Sequence, residues 1–283
     1  MALSFFKRNT GEERSEMSFV DHLEELRGHL FRCVVAVAIG AIVAGIYNKF
    51  IIKNILLGPT HNDFPTYGII CRIGRSLNLG NALCMQGIQL KLQSTEVSGQ
   101  FSMWFSVILI SGLILAFPYV FYQFWSFVRP ALNKKELSST TGVIFWVSFL
   151  FFTGVLFGYM VVAPYAINFF FHFQLDEIVQ NIWTINSYIS MMLPLVLGSG
   201  LAFQLPLVIY FLARIGLVTS AFLKNKIKYA VVIILIVAGI ITPGPDVVSQ
   251  LAVAIPLLLL YVISIFLAAR VDKERADKDK EWS

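Results

Sequence analysis

Long stretches without a charged residue constrain this chain more than any other feature of its sequence. Asp, Glu, Lys and Arg are absent from residues 33–48, 97–128, 141–175, 178–213, 229–245 and 247–269. A helix needs about 20 mostly apolar residues to cross the roughly 30 Å hydrocarbon core of a bilayer. Charged residues make up only 14% of the chain, whereas about 25% is usual in a soluble domain. The sequence therefore predicts an all-α integral membrane protein with six transmembrane helices.

The distribution of lysine and arginine predicts how these helices are oriented. Seventeen of the 22 basic residues lie in the terminal segments and in the loops after the second and fourth runs, and five lie elsewhere. Because short loops rich in Lys and Arg stay in the cytoplasm, both termini are predicted to be cytoplasmic. The net charge of +5 reflects this bias, and nucleic-acid binding is not predicted.

The chain divides into a membrane domain and two polar tails. Residues 1–17 lack the apolar segment of a cleaved signal peptide, so we expect a disordered cytoplasmic tail there. Residues 18–270 are expected to form a single six-span domain, in which residues 18–31 make an amphipathic cytoplasmic helix. Residues 271–283 are a charged cytoplasmic tail.

The longest loop, residues 53–98, is predicted to lie outside the cytoplasm and contains Cys71 and Cys84. A disulfide between these two cysteines fits an oxidising compartment, and two free thiols are the alternative. A zinc site is not predicted, because His61 is the only further soft ligand nearby. We expect no metal and no other cofactor.

Prolines and glycines mark the middle helices. The second, third and fourth runs are interrupted at Pro118, Pro164, Pro194 and Pro206. Proline bends a membrane helix, and long bent helices favour a curved wall over a tight bundle. Gly154 and Gly158 have the spacing of a close helix contact, although such spacing also arises by chance.

The last two runs and the turn between them occupy only residues 229–269, so the last two helices are predicted to be short. The first has about 15 apolar residues before Thr242, which reach about 22 Å at 1.5 Å per residue. The turn contains Pro243 and Asp246, a strong breaker followed by an N-cap for the next helix.

Three carboxylates stand just before the first run, at Asp21, Glu24 and Glu25, after a predicted helix start near Ser18. One interpretation is a solvated face, in which Glu24 pairs with Arg27 and Asp21 stabilises the helix start. The other is a surface for a cationic partner, because an anionic leaflet is an unfavourable neighbour for a cluster of acids.

A second acid, Glu136, lies in the loop after the second run, at the same predicted membrane face. Two separated carboxylates can each receive an arginine through a bidentate fork, and lysine does not reproduce that geometry. The pair of sites therefore favours a partner that carries arginines.

Polar groups inside the predicted membrane region are few. The amide of Gln204 needs a hydrogen-bond partner there, either a neighbouring helix or a functional one. The sequence contains no nucleotide-binding loop, nucleophile elbow or metalloprotease motif. An enzyme is therefore not predicted.

Short motifs in a fixed order connect the sequence with a known family. They are HLEELR at 22–27, Pro118, YQFWSF at 122–127, RPAL at 129–132, Glu136, AP at 163–164, FQLP at 203–206, TP at 242–243 and DVVSQ at 246–250. In this combination the chain resembles the TatC family, the multispanning core component of the twin-arginine protein translocase.

The resemblance implies a curved, glove-like arrangement of six helices in the inner (cytoplasmic) membrane of a bacterium. It implies a receptor for the twin-arginine signal peptides of folded proteins, whose export uses the proton gradient. The implied partners are the single-span proteins TatA and TatB, further copies of the chain itself and membrane lipids.

The resemblance also assigns roles to residues. Glu25 and Glu136 would form the signal-peptide recognition surface, with Phe127 and Leu132 in or beside it and Arg27 in the same motif as Glu25. Gln204 would contact a partner helix. Many members of the family carry glutamate at the position of Gln204, so the resemblance does not extend to a titrating role there, and the long outer loop is a second departure.

A secondary transporter for a small cationic solute is the alternative function. Such a protein is built from inverted repeats around a polar site at the membrane midplane. The sequence shows no such repeat, and Gln204 is its only strong midplane candidate.

Overall fold

The structure is a computed structural model that describes residues 19–61, 63–76, 90–128, 140–174, 176, 178, 181–242 and 247–281. Five helices in these ranges are long and apolar enough to cross a membrane. They are Glu24–Ile46, Gly99–Val128, Gly142–His172, Ile185–Arg214 and Ser249–Ala276. A sixth apolar helix, Ile227–Ile241, is shorter. The prediction of an all-α integral membrane protein is confirmed, while the number of spans, their orientation and the glove shape stay predictions.

The described helices follow one another along the chain with short interruptions. They are α1 (Phe19–Ile46), α2 (Asn48–Phe50), α3 (Pro65–Ser76), α4 (Gly99–Val128), α5 (Thr140–Phe157), α6 (Ala163–His172), α7 (Ile185–Ala202), α8 (Leu205–Arg214), α9 (Ser220–Asn225), α10 (Ile227–Ile241) and α11 (Val247–Glu281). We call the end of the molecule at which α1 begins the Glu25 end, and the opposite one the Cys71 end.

Helix α1 joins the amphipathic segment and the first apolar run in one continuous helix, and it packs along α4 in the antiparallel direction. The two backbones approach most closely where Gly40 faces Gly112. A Cβ atom added to Gly40 would lie 2.5 Å from the carbonyl oxygen of Gly112. Glycine at both positions therefore allows the contact, as in other close helix pairs in membranes.

Proline divides the third and fourth runs at Pro164 and Pro206, as the sequence predicts, whereas Pro118 and Pro194 lie inside the continuous helices α4 and α7. A π-helical segment, Gly158–Val162, connects α5 to α6, and Pro164 stands in the first turn of α6. A turn at Phe203 and Gln204 separates α7 from α8, where Pro206 takes the same place. Proline has no N–H to donate and its ring crowds the preceding turn, so it is found where regular helical hydrogen bonding is interrupted.

The predicted close contact at Gly154 and Gly158 is confirmed. A Cβ atom on Gly154 would lie 2.7 Å from the carbonyl oxygen of Ser199, and one on Gly158 would lie 2.8 Å from the Cβ of Ser199. These glycines let α5 and the π-helical segment press against α7. Beside this contact lies the core, whose largest fully buried side chains include Tyr188, Phe151, Ile167, Met192 and Leu195.

At the Cys71 end, three tyrosine hydroxyls hold the chain that follows α1. Tyr159 donates to the carbonyl of Ile55 (2.6 Å), Tyr188 to that of Leu56 (2.6 Å) and Tyr67 to that of Pro59 (2.5 Å). Ile55 and Leu56 belong to a π-helical segment, Ile51–Leu56, and Pro59 to a 3₁₀ turn, Gly58–Thr60. Carbonyls at the end of a helical segment lack helical partners, and the tyrosines supply them.

The last two helices differ in length, and here the sequence prediction was wrong for one of them. Helix α10 has 15 residues, which agrees with a short helix. Helix α11 has 35 residues and continues through the charged segment to Glu281. Two hydrogen bonds connect this extension to the chain between α8 and α9. Asp272 accepts a hydrogen bond from the backbone N–H of Ser220 (2.8 Å), and the Arg275 guanidinium donates to the carbonyl of Arg214.

Candidate functional site

The first part of α1 presents the predicted acidic face. Glu24 and Arg27 are exposed, and Glu25 is half-buried. The ion pairs between described residues are Arg214–Glu274 (3.0 Å) and Arg270–Glu274 (3.9 Å). The expected pair between Glu24 and Arg27 is thus not formed, because both side chains point into open solvent, where such a pair adds little stability. Glu25 likewise has no cation within 4 Å among the residues that the structure describes.

One turn after Glu25, a partly buried hydrogen bond connects α1 to α4. His29 Nδ1 lies 2.7 Å from Gln123 Oε1, and Gln123 Nε2 donates to the hydroxyl of Tyr119 at 2.7 Å. The amide oxygen accepts only, so Nδ1 of His29 carries the proton and donates. Gln123 is only 4% exposed, and in such a site a lost partner is costly. This bond fixes the Glu25 end of α1 against α4.

Phe127 follows Gln123 by one turn, and its ring meets the imidazole of His29 edge to face, with the ring centres 6.1 Å apart. Phe127 is half-buried. His29 therefore contacts both Gln123 and Phe127, while Glu25 stands one turn away on the same helix. The structure thus places Phe127 against His29, one turn after Glu25 on α1, and the sequence analysis did not select this histidine.

Several predicted site residues lie outside the described residues. These are Leu132, Glu136, Pro243, Asp246 and Cys84. Cys71 is disulfide-bonded, and its pairing with Cys84 stays a prediction. Beside the turn, Thr242 is buried, and its hydroxyl donates to the carbonyl of Ala238 at 3.0 Å.

Gln204 lies in the turn between α7 and α8, and its amide Nε2 donates to the carbonyl of Val147 on α5 at 3.2 Å. Its Oε1 atom is buried without a hydrogen-bond partner among the described residues. Half of the amide is therefore satisfied within the chain. A contact of Gln204 with a partner helix stays a prediction.

Sequence reasoning did not select His29 and Gln123, which connect α1 to α4 beside Glu25 and Phe127. Gln123 left a readable signal, because an amide inside the charge-free run 97–128 needs a partner in the membrane. His29 left none: a single histidine on an amphipathic helix is usual, and its partner is 94 positions away in the sequence.

Comparison with known proteins identifies the family. The model of the Sec-independent protein translocase protein (TatC) family matches residues 21–256. The chain is 39% identical to the TatC protein of Blattabacterium sp. subsp. Periplaneta americana, over 93% of this chain and 99% of that protein. It is 37% identical to the TatC protein of Desulforapulum autotrophicum, over 95% of this chain and 90% of that one.

Solved structures agree. A crystal structure of the twin-arginine translocase receptor TatC in the detergent DDM has a TM-score of 0.68 and 32% sequence identity, and the match covers 87% of this chain and 99% of that one. A second crystal structure of the receptor has a TM-score of 0.64 and 31% identity. The family model spans most of the chain, and the relatives are matched over nearly their full length. The chain belongs to the TatC family of Sec-independent protein translocase proteins.

Proposed function

We propose that this chain is the signal-peptide receptor and core subunit of a twin-arginine protein translocase. The observation that carries the proposal is the setting of Glu25. Its carboxylate has no cation within 4 Å among the described residues, and it stands one turn from the His29–Gln123 bond that fixes α1 against α4. It is therefore an acceptor held in place and open to an external cation.

Arginine is the cation that this arrangement suits. A guanidinium donates two parallel N–H bonds to one carboxylate, and such charge-assisted bonds are stronger than neutral ones. Paired arginines call for two carboxylates, and Glu136 is the second one in our proposal. Phe127 and Leu132 supply apolar contacts beside them, and Arg27 borders the same surface.

The proposed topology places the Glu25 end in the cytoplasm. The excess of Lys and Arg in the loops at this end supports that orientation. Six spans with both termini inside, curved into a glove-like wall, follow if α10 crosses the bilayer despite its 15 residues. A span of about 22 Å requires local thinning of the membrane. We place the protein in the inner membrane of a bacterium.

A receptor of this kind works with other subunits. We propose TatA- and TatB-type single-span proteins and further copies of this chain as partners, with Gln204 as one point of contact. Transport of folded proteins would draw on the proton gradient. The chain's own part is binding and not covalent chemistry, which fits its membership in a translocase family.

Charge reversal at the two acids tests the receptor site. In the variant E25K/E136K, photocrosslinking of a twin-arginine signal peptide to the membrane-inserted protein should fall to background, because two cations would face the arginines. The matched control is E24K, which makes the same change at an exposed neighbour and should keep crosslinking within about twofold. Unchanged crosslinking in a correctly inserted E25K/E136K protein would overturn the assignment.

A further inference from the structure

A groove of about 590 Å³ runs along the seam between α1 and α4. Its walls are apolar, with Ala36, Gly40 and Val43 from α1 and Leu115 from α4. Arg32 and Tyr119 also line it, and they are its most polar residues. The groove belongs to the part of α1 and α4 that is long and apolar enough to lie in the membrane.

The length of the groove matches one leaflet. Arg32, Ala36, Gly40 and Val43 follow one another at helical spacing, so they form one face of α1. From Arg32 to Val43 this face rises about 17 Å at 1.5 Å per residue. Half of the hydrocarbon core measures about 15 Å. The small residues Ala36 and Gly40 line the bottom of the groove, which we call its floor. They leave room for a slender apolar chain.

The width of the occupant favours an acyl chain over a helix. A helix is about 10 Å wide with its side chains, whereas an acyl chain is a single row of methylene groups. A second copy of the chain or a partner helix would therefore cover the groove without filling it.

The polar end of the groove suits a phosphate. Arg32 is exposed and always charged, and it has no carboxylate within 4 Å among the residues that the structure describes. A charged side chain at the edge of the hydrocarbon needs a counter-ion or a path to water. The Tyr119 hydroxyl accepts a hydrogen bond from Gln123, so its own proton is free to be donated to a second oxygen.

We propose that this groove binds one acyl chain of an anionic phospholipid, whose phosphate is held by Arg32 and Tyr119. The lipid comes from the leaflet at the Glu25 end. The inference rests on the proposed function only for naming that leaflet as the inner one. Binding itself requires no signal peptide, so its failure and the failure of the receptor assignment are separate results.

The test uses the full-length protein in a neutral detergent, titrated with phosphatidylglycerol and, in parallel, with phosphatidylcholine, while native mass spectrometry counts the bound lipids. The wild-type protein should bind phosphatidylglycerol more tightly. R32Q should weaken this binding about tenfold, the loss expected for a charge-assisted bond. It should weaken phosphatidylcholine binding less, because the choline cation already offsets the charge of that phosphate. R27Q is the matched control, since it removes an exposed arginine of the same helix that does not line the groove, and it should stay within about twofold.

A second variant tests the apolar part. A36L fills the floor of the groove and should reduce the binding of both lipids, while the thermal unfolding of the protein confirms that it is folded. Equal affinity for phosphatidylglycerol in R32Q, R27Q and the wild type would overturn the headgroup site. If A36L leaves lipid binding intact but dissociates an oligomer, the groove is a protein interface and the proposal fails.

Discussion

The imidazole of His29 lies 2.7 Å from the amide oxygen of Gln123, and this bond connects α1 to α4 beside the proposed recognition surface. The ring also contacts Phe127. Without this bond, the exposed end of α1 that carries Glu25, the proposed recognition carboxylate, would be less constrained. The bond therefore explains how Glu25 can be held in a defined place although it has no partner of its own among the described residues.

The first prediction concerns this bond. H29A should lower the affinity for a twin-arginine signal peptide several-fold and destabilise the protein by about 1–3 kcal/mol, because Gln123 Oε1 would be left buried and unpaired. H29N, which keeps a donor, should recover part of the affinity. Peptide titration and thermal unfolding measure the two effects. H172A is the control, since His172 is exposed and bonds only within its own helix. Equal peptide affinity in H29A and H172A would contradict a positioning role.

The second prediction concerns the contact of α1 with α4. A Cβ atom on Gly112 would lie 2.4 Å from the backbone nitrogen of Ala41, so G112A must push the helices apart. We expect a loss of about 1–3 kcal/mol, as for other overpacked sites, seen as a lower unfolding temperature in detergent. G142A, where a Cβ atom meets nothing within 4 Å, should be neutral or slightly stabilising. The prediction fails if the two variants unfold alike.

The third prediction concerns the Cys71 end. Tyr188 is fully buried, and its hydroxyl satisfies the carbonyl of Leu56. Y188F should cost about 1–3 kcal/mol, because that buried carbonyl loses its partner. It should also speed hydrogen exchange in the segment Ile51–Leu56. Y229F, at an exposed tyrosine, serves as the control. Unchanged exchange in Y188F would mean that the hydroxyl does not hold this segment.

The fourth prediction concerns the extension of α11. Asp272 caps α9 through the N–H of Ser220, so D272A should cost about 0.5–2 kcal/mol of local stability. The measurement is hydrogen exchange over residues 220–225 and 271–281, which should quicken together. K273A changes an exposed neighbour and should alter neither segment. If D272A leaves residues 220–225 protected, the extension does not support α9.

The sequence predicted features that depend on local patterns. Charge-free runs identify the helices, prolines mark the breaks at Pro164 and Pro206, and a four-residue spacing marks the close contact at Gly154 and Gly158. Each of these rules relates residues within a few turns of one helix, and the structure agrees with all three.

Two predictions failed, and one contact was not predicted at all. Helix α11 was predicted to be short, but it has 35 residues, and Asp272 and Arg275 in its extension bond to residues 52 and 61 positions away. The pair Glu24–Arg27 has favourable spacing, yet spacing alone does not make exposed side chains associate. The His29–Gln123 bond joins residues 94 positions apart. No local pattern reports such pairings.

The central claim is that Glu25 recognises an arginine of the signal peptide through a bidentate contact. The most direct measurement is equilibrium binding of a twin-arginine peptide and its twin-lysine counterpart to the wild-type protein and to E25Q. The wild type should prefer the arginine peptide by about tenfold, because lysine cannot form the fork, and in E25Q the preference should shrink severalfold. If E25Q keeps the full preference for arginine over lysine, Glu25 is not the residue that recognises the paired arginines of the signal peptide.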